Sequence, residues 1–466
     1  MASPLPPKKK YHVAVFAFPF GGHAAPLFSL ARQLAAKAPH AIFSFFTTPT
    51  SKASLISSSS PHGPNLKLYD VSDGVPDGYV LVGKPQEEIE LFMKATPGNF
   101  LEALERVMKV EEGDVSCVLT DSFLSFARHM AEEKRLPWVA FWTAAACSLS
   151  AHVYTDVLRR TFGICTEEVV FANNDEHLNV IPGFSKVRVQ DLPDGVVSGR
   201  IDSLFSCLLH CMGKESIHAA AVAINTFEGL EPTILNDLRL KLHKCLPVGP
   251  LSLLCPPAPP HEQDPYSCLA FLDRFHHQNP HSPSVVYVSF GTVKIPPPDE
   301  LKALAEGLEE SGVPFLWSLK EKAKEEGLPK GFAERTKERG LVVPWAPQTM
   351  VLGHRVVGVF VTHCGWNSVL EGIAAGVPMI GRPLLGDQGV NGRMLSHAWE
   401  VGMVLDGGVI TKEGIVKSID LMLRREEGKK YKAKISRLKE LAKESVRDGG
   451  SSMANFNELL DILVPS

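Results

Sequence analysis

Two stretches of the chain share one pattern. His12–Phe20 is an apolar run rich in Val and Phe that stops at Pro19 and Gly21-Gly22. In APLFSLARQLAAKAP, the next segment, Leu27, Leu30, Ala31 and Leu34 recur at helical spacing, and AIFSFFTTP follows as a second apolar run. Such a series predicts strand, glycine turn, amphipathic helix, strand. The second stretch opens with SVVYVSFG, Ser284–Gly291, and continues into PDELKALAEGLEESG. That segment predicts a helix starting near Pro298–Asp299, with Leu301, Leu304, Ala305 and Leu308 on one face. FLWSL, LVVPW, GVFVTHCG and PMIG read as further short strands between helices. Repeated alternation of strand and helix predicts an α/β fold with parallel, doubly wound sheets. Between the two stretches, residues 250–265 hold six prolines in sixteen positions. Proline at that density excludes a helix interior or a central strand and predicts an interdomain linker. A ligand is expected in the cleft between the two halves, beyond the carboxyl ends of the strands.

Composition narrows the classes. The 466 residues carry 48 basic and 52 acidic side chains, a formal charge of −4, without the basic footprint of a nucleic-acid binder. Lys8-Lys9-Lys10 precedes an apolar run, but Pro19 interrupts it, so it reads as a strand rather than a signal peptide. No uninterrupted apolar stretch reaches membrane-spanning length, and no membrane span is expected. The nine cysteines are scattered without a CxxC pair, which predicts reduced thiols and a cytoplasmic protein. No HExxH or paired Cys/His spacing points to a metal.

The segment from Trp345 to Gln388 holds the chemistry: WAPQTMVLGHRVVGVFVTHCGWNSVLEGIAAGVPMIGRPLLGDQ. GVFVTHCG predicts a buried strand ending at Gly365, after which Asn367 and Ser368 can cap a helix. A strand, a glycine turn and a helix N-terminus form an anion site, because unpaired N–H groups and the helix dipole face the ligand. His363, Asn367 and Ser368 supply further donors there. Glu371 lies one turn inside, where a carboxylate can accept from ribose hydroxyls. Trp345 offers a flat face for a nucleobase, and Asp387 with Gln388 suits sugar hydroxyls.

Taken whole, this string resembles the secondary-product signature of the plant UDP-glycosyltransferases, with WAPQ, HCGWNS, Glu371, GVP and DQ at the family's spacing. The resemblance extends to chain length, to FPFGGH near the start and to the central linker. It implies the GT-B fold, two Rossmann-like domains facing across a cleft. Residues 1–249 would bind the acceptor, 250–265 would link, 266–440 would bind the UDP-sugar, and 441–466 would cross back to the first domain. It also implies that Trp345, with Ala346 beside it, stacks on uracil and that Gln348 and Glu371 hold the ribose. His363, Asn367, Ser368 and Thr292 would bind the diphosphate, and Trp366, Asp387 and Gln388 would read the sugar, with glucose the expected donor sugar. The UDP-sugar is then a co-substrate, with no cofactor and no metal required, and a monomer is expected.

The base must come from the other half. His23 follows the first strand at a turn that faces the cleft, and a near-neutral imidazole suits removal of a proton from a hydroxyl. A lone His is usually structural, but this one matches the family's general base. The imidazolium needs a carboxylate, and Asp121, ending SCVLTD, is the candidate. Direct displacement at the anomeric carbon would invert its configuration. DGVPDGY, KPQEEIELF, PWVAFWTAAACSLSAHVY and IPGFSKVRVQDLP are similar to segments of flavonoid and anthocyanidin 3-O-glucosyltransferases. That similarity implies a small phenolic acceptor against Gly21, Gln86, Phe123, His152, Phe205 and Leu385, with Thr143 touching the donor sugar. Core packing is the plain alternative for Phe123, Phe205 and Leu385. Gly21-Gly22 and Leu384-Leu385 depart from common relatives, which leaves UDP-rhamnose or UDP-galactose open as donors. A nicotinamide-dependent oxidoreductase fits less well, since FPFGGH is not GxGxxG. A binding protein without chemistry is disfavoured by His23 and Asp121.

Overall fold

The computed structural model describes residues 11–58, 62–81, 85–111, 114–163, 175–193, 195–197, 204–254, 264–278 and 284–465. The first sheet holds β1 (Tyr11–Phe16), β2 (Ala41–Thr47), β3 (Leu66–Asp70), β4 (Cys117–Asp121), β5 (Trp138–Trp142), β6 (Ala221–Ile224) and β7 (Cys245–Pro247). The second holds β8 (Val285–Ser289), β9 (Phe315–Ser318), β10 (Gly340–Val343), β11 (Val357–Thr362), β12 (Met379–Gly381) and β13 (Gly402–Val404). The strand orders are β3-β2-β1-β4-β5-β6-β7 and β10-β9-β8-β11-β12-β13. Every paired strand is parallel to its neighbour. Each sheet therefore reverses its order once, between β1 and β4 and between β8 and β11. Those are the points where strands leave a crevice beyond their carboxyl ends.

Strands buried on both faces need apolar runs, and these have them: β4, β5, β8 and β11 are buried at every position. The amphipathic helix Ala24–Lys37 sets Leu27, Leu30, Ala31 and Leu34 against the first sheet. Helix Pro298–Ser311 does the same for the second with Leu301, Leu304, Ala305 and Leu308. Pro250 is followed by a short helix, Leu251–Leu254. Residues 255–263, most of the proline-rich segment, lie outside the described residues.

The chain's end ties the halves together. Helix Glu426–Val446 packs on helix Trp366–Ala375. Helix Ser451–Leu463 then returns to the first sheet. Its Phe456, Leu459 and Leu463 join the core beneath β1. Ser452 donates to the carbonyl of Gly249, and Asn455 to that of Pro247. No helix among the described residues is long and apolar enough to cross a membrane.

Candidate active site

The site forms where the two strand-order reversals face each other. On the first sheet, β1 leads into the turn Gly21-Gly22-His23, while β4 ends at Asp121. Parallel register sets Phe16 beside Thr120, so the residues leaving β1 and β4 emerge together. His23 Nδ1 lies 2.9 Å from Asp121 Oδ2. The carboxylate accepts, so Nδ1 carries the proton and Nε2 is left to take another. Asp121 is 1% exposed, and its other oxygen accepts the backbone N–H of Phe123 at 2.9 Å. Thr143 Oγ1 stands 3.1 Å from the same His23 nitrogen. Burial alone would depress the His23 imidazole. The charge of Asp121, its hydrogen bond and, more distantly, Asp387 outweigh this and raise it. Asp387 belongs to the other half, so its influence on His23 spans the cleft.

Aromatic rings surround the base. Phe123 lies 4.3 Å and Phe18 5.2 Å from the His23 ring, centroid to centroid. Phe18 also meets Phe20 and Phe92, and Phe20 meets Phe92. Of these rings the sequence had singled out Phe123. The spacing of Phe18 and Phe20 along an extended segment, two residues apart on one face, is the signal that could have found them.

On the second sheet, β11 ends at Thr362, and helix Trp366–Ala375 begins four residues on. Asn367 and Ser368 do not cap this helix. Gly365 is its N-cap, no side chain caps it, and Asn367 and Ser368 sit inside the first turn. The first-turn N–H groups are thus left for a ligand, which strengthens the anion site. Two glycines admit His363. A Cβ on Gly291, at φ +71°, would come 2.8 Å from His363 Nε2, and one on Gly365 would fall on the same ring. Burial pushes the His363 imidazole down to about 4, so it is neutral. Its buried Nδ1 has no hydrogen-bond partner among the described residues.

Below the anion site, Gln348 Nε2 donates to Glu371 Oε2 at 2.7 Å and to Ser368 Oγ at 2.9 Å. The hydroxyl of Tyr287, on β8, donates to Gln348 Oε1. Burial pushes the Glu371 carboxyl up to about 7, although the Gln348 bond opposes it. Trp345 is 46% exposed beside buried Ala346, as a stacking platform requires. Thr292 is exposed on the loop after β8, where Lys320 donates to its carbonyl. Gln388 is buried, and its Oε1 accepts the backbone N–H groups of Leu384 and Leu385. Its carbonyl is thereby occupied, and its NH2 is the group it can offer a ligand. The same bonds pin the Leu384-Leu385 turn.

Several expected residues serve other ends. Trp366 is 4% exposed, and its indole N–H donates to the carbonyl of Asn225, on the turn after β6, at 2.7 Å. It wedges the two halves together, so the indole N–H is taken and the backbone N–H of Trp366, in the first turn, is the donor left for a ligand. His152 is 1% exposed, donates through Nδ1 to the carbonyl of Leu209 and lies against Trp142. Burial holds it down to about 3, as suits a core histidine. Asn367 donates to the carbonyl of Gly22, joining the phosphate helix to the turn that carries His23. Gly21, at φ +59°, faces Val293 across the cleft, and Leu385 is 37% exposed at its rim. The side chains of Gln86 and Phe205 lie outside the described residues. Glu231 went unforeseen. Its buried carboxylate accepts the N–H groups of Ala146 and Cys147, which fixes the helix after Thr143. A carboxylate acting across 84 residues leaves no local pattern to read.

Comparison with known proteins agrees with this geometry. The chain is 50% identical over 466 residues to a flavonol 3-O-glucosyltransferase of Arabidopsis thaliana, covering 100% of this chain and 99% of that one. It is 48% identical to a flavonol-3-O-rhamnosyltransferase of the same plant, covering 98% of each. Among solved structures, UDP-glucose: anthocyanidin 3-O-glucosyltransferase in complex with UDP superposes with a TM-score of 0.89 at 40% identity, over 98% of this chain and 100% of that one. A family model described as UDP-glucoronosyl and UDP-glucosyl transferase matches residues 30–446. With its two facing parallel sheets in the GT-B arrangement, the chain belongs to the UDP-glycosyltransferase family.

Proposed function

We propose that this enzyme transfers glucose from UDP-glucose to the 3-hydroxyl of a flavonoid, a flavonol or an anthocyanidin, with inversion at the anomeric carbon. The observation that carries the reading is the His23–Asp121 pair at 2.9 Å, set among aromatic rings and facing Asp387 across the cleft. Half-buried Phe20 and Phe123 give a flat polyphenol its apolar walls, with Phe18 and Phe92 packed behind them. The acceptor class follows the flavonol and anthocyanidin enzymes to which the chain is similar.

In this reading His23 Nε2 takes the proton from the acceptor hydroxyl as its oxygen attacks the sugar's anomeric carbon. The bond from that carbon to the diphosphate oxygen breaks on the opposite face. Asp121 stabilises the imidazolium that forms. Negative charge develops on the diphosphate, at the N-terminus of helix Trp366–Ala375, which no side chain caps. Trp345 holds uracil, Gln348 and Glu371 hold the ribose, and Asp387 with the Gln388 NH2 reads the sugar. The chain's 48% identity to a rhamnosyltransferase keeps UDP-rhamnose as a second donor reading. The test is a panel of UDP-glucose, UDP-galactose and UDP-rhamnose crossed with quercetin and cyanidin, with UDP release followed and products located by NMR. A β-linked 3-O-glucoside formed with the highest kcat/KM supports the proposal. A higher kcat/KM with another sugar overturns the donor, and no turnover of either phenol overturns the acceptor class.

A further inference from the structure

One carboxamide stands where three parts of the machinery meet. Asn391 lies one turn beyond Asp387, in helix Gln388–Arg393, and is 0% exposed. Its Nδ2 donates to Asp387 Oδ2 at 3.0 Å and to the carbonyl of Cys364 at 3.1 Å. Its Oδ1 accepts the thiol of Cys147, from the first half of the chain, at 4.0 Å. Each amide hydrogen faces an acceptor, and the amide oxygen faces a donor. The side chain is thus fully matched and held one way round.

Both acceptors matter to the reaction as read above. Cys364 has φ +63°, a left-handed conformation that non-glycine residues rarely adopt. Its carbonyl precedes Gly365, the N-cap of the phosphate helix. Asp387 is the carboxylate assigned to the sugar, and a bond to one of its oxygens fixes its plane. Few side chains meet this demand. An ionised Asp lacks the hydrogens, Ser has one, and Gln adds a methylene to a fully buried side chain.

We propose that Asn391 is a positioning residue for donor-sugar selection: it locks the Asp387 carboxylate in register with the diphosphate loop. The proposal rests on the reading of Asp387 as a sugar contact. The test compares Asn391→Ala, isosteric Asn391→Asp, Asp387→Asn and the double variant Asn391→Ala/Asp387→Asn. It measures kcat and KM with UDP-glucose, UDP-galactose and UDP-rhamnose, and UDP affinity by calorimetry.

Both Asn391 variants should lose about 30-fold in kcat/KM with UDP-glucose, the worth of one charge-assisted hydrogen bond. Their preference for glucose over the other sugars should fall, while UDP affinity stays within about threefold, since UDP has no sugar to misplace. The double variant should lose less than the sum of the two single losses, because Asn391 acts on the sugar through residue 387. Additive losses, an unchanged sugar preference, or UDP affinity lost in step with turnover, as in a variant that fails to fold, would overturn it. If Asp387→Asn alters sugar preference and the Asn391 variants do not, the proposal alone fails. If Asp387→Asn leaves the preference unchanged, the reading of Asp387 fails and the proposal with it.

Discussion

Replacing Asp121 by Asn exchanges one oxygen for an NH2 group, and the structure fixes where that group must point. Asp121 Oδ1 accepts the backbone N–H of Phe123, so the amide oxygen has to stay there. The NH2 then faces His23 Nδ1, 2.9 Å away, where a carboxylate oxygen stood. It donates to Nδ1 and drives the ring proton to Nε2, the atom that must be empty to act as a base. A second loss adds to the first. A charge pair about 4 Å apart at an effective dielectric near 20 is worth about 4 kcal/mol, or about three decades in rate. Solvent at the 22% exposed ring reduces that figure. The inverted tautomer raises it again, so kcat should fall about 10³-fold. The acid limb of the pH profile provides a second readout. Asp121 raises the His23 imidazole, so in the native enzyme activity falls as pH drops through a value above that of a free imidazole. Without the carboxylate, burial dominates, and what activity remains should persist to lower pH. Asp121→Ala leaves both tautomers open and should be less impaired than Asp121→Asn. The assay is initial-rate formation of quercetin glucoside by chromatography from pH 5 to 9, with UDP affinity measured alongside. A loss below tenfold, an unmoved acid limb, or an alanine variant worse than the asparagine one would refute this account.

Three further outcomes are expected. Glu371, held up to about 7 by burial, should ionise as ribose hydroxyls donate to it. UDP should therefore bind more weakly as pH falls from 8 to 6 and release protons on binding, as read by calorimetry in buffers of different ionisation enthalpy; Glu371→Gln should reduce that dependence to what the UDP phosphate itself contributes. Trp345→Ala removes a half-exposed stacking face and should weaken UDP about tenfold or more, by the usual worth of base stacking, with little change in thermal stability. Gln388→Glu keeps the acceptor that pins Leu384 and Leu385 but loses the NH2. It should cut kcat/KM with UDP-glucose by about tenfold or more while sparing UDP affinity, and an unchanged kcat/KM would show that the NH2 does not meet the sugar.

Much of this protein is written locally. Strands buried on both faces must be apolar along their length, and helices that cover them must be apolar on one side. The runs at His12–Phe20 and Ser284–Gly291 and the helices after them therefore announce two parallel sheets. Residues that act through one turn or one helix end are legible in the same way. The HCGW segment shows its anion site because strand, glycine and helix N-terminus are contiguous, and Asp121 shows because it ends an apolar run. Other roles depend on what lies opposite in space. Gly365, with no side chain to offer, caps the phosphate helix, and only the ring of His363 packed on it explains why. The indole N–H of Trp366 reads as free for a ligand until Asn225, 141 residues earlier, is seen to accept it. His152 is a core residue because Leu209 and Trp142 close around it. Of the three partners of Asn391 only Asp387, one turn earlier, is near in sequence; Cys364 and Cys147 come from distant segments and leave no local signal. Sequence determines which faces are buried, because burial follows periodicity along the chain. Tertiary structure alone decides which polar groups meet, because a hydrogen bond is satisfied by position in space and not by distance along the chain.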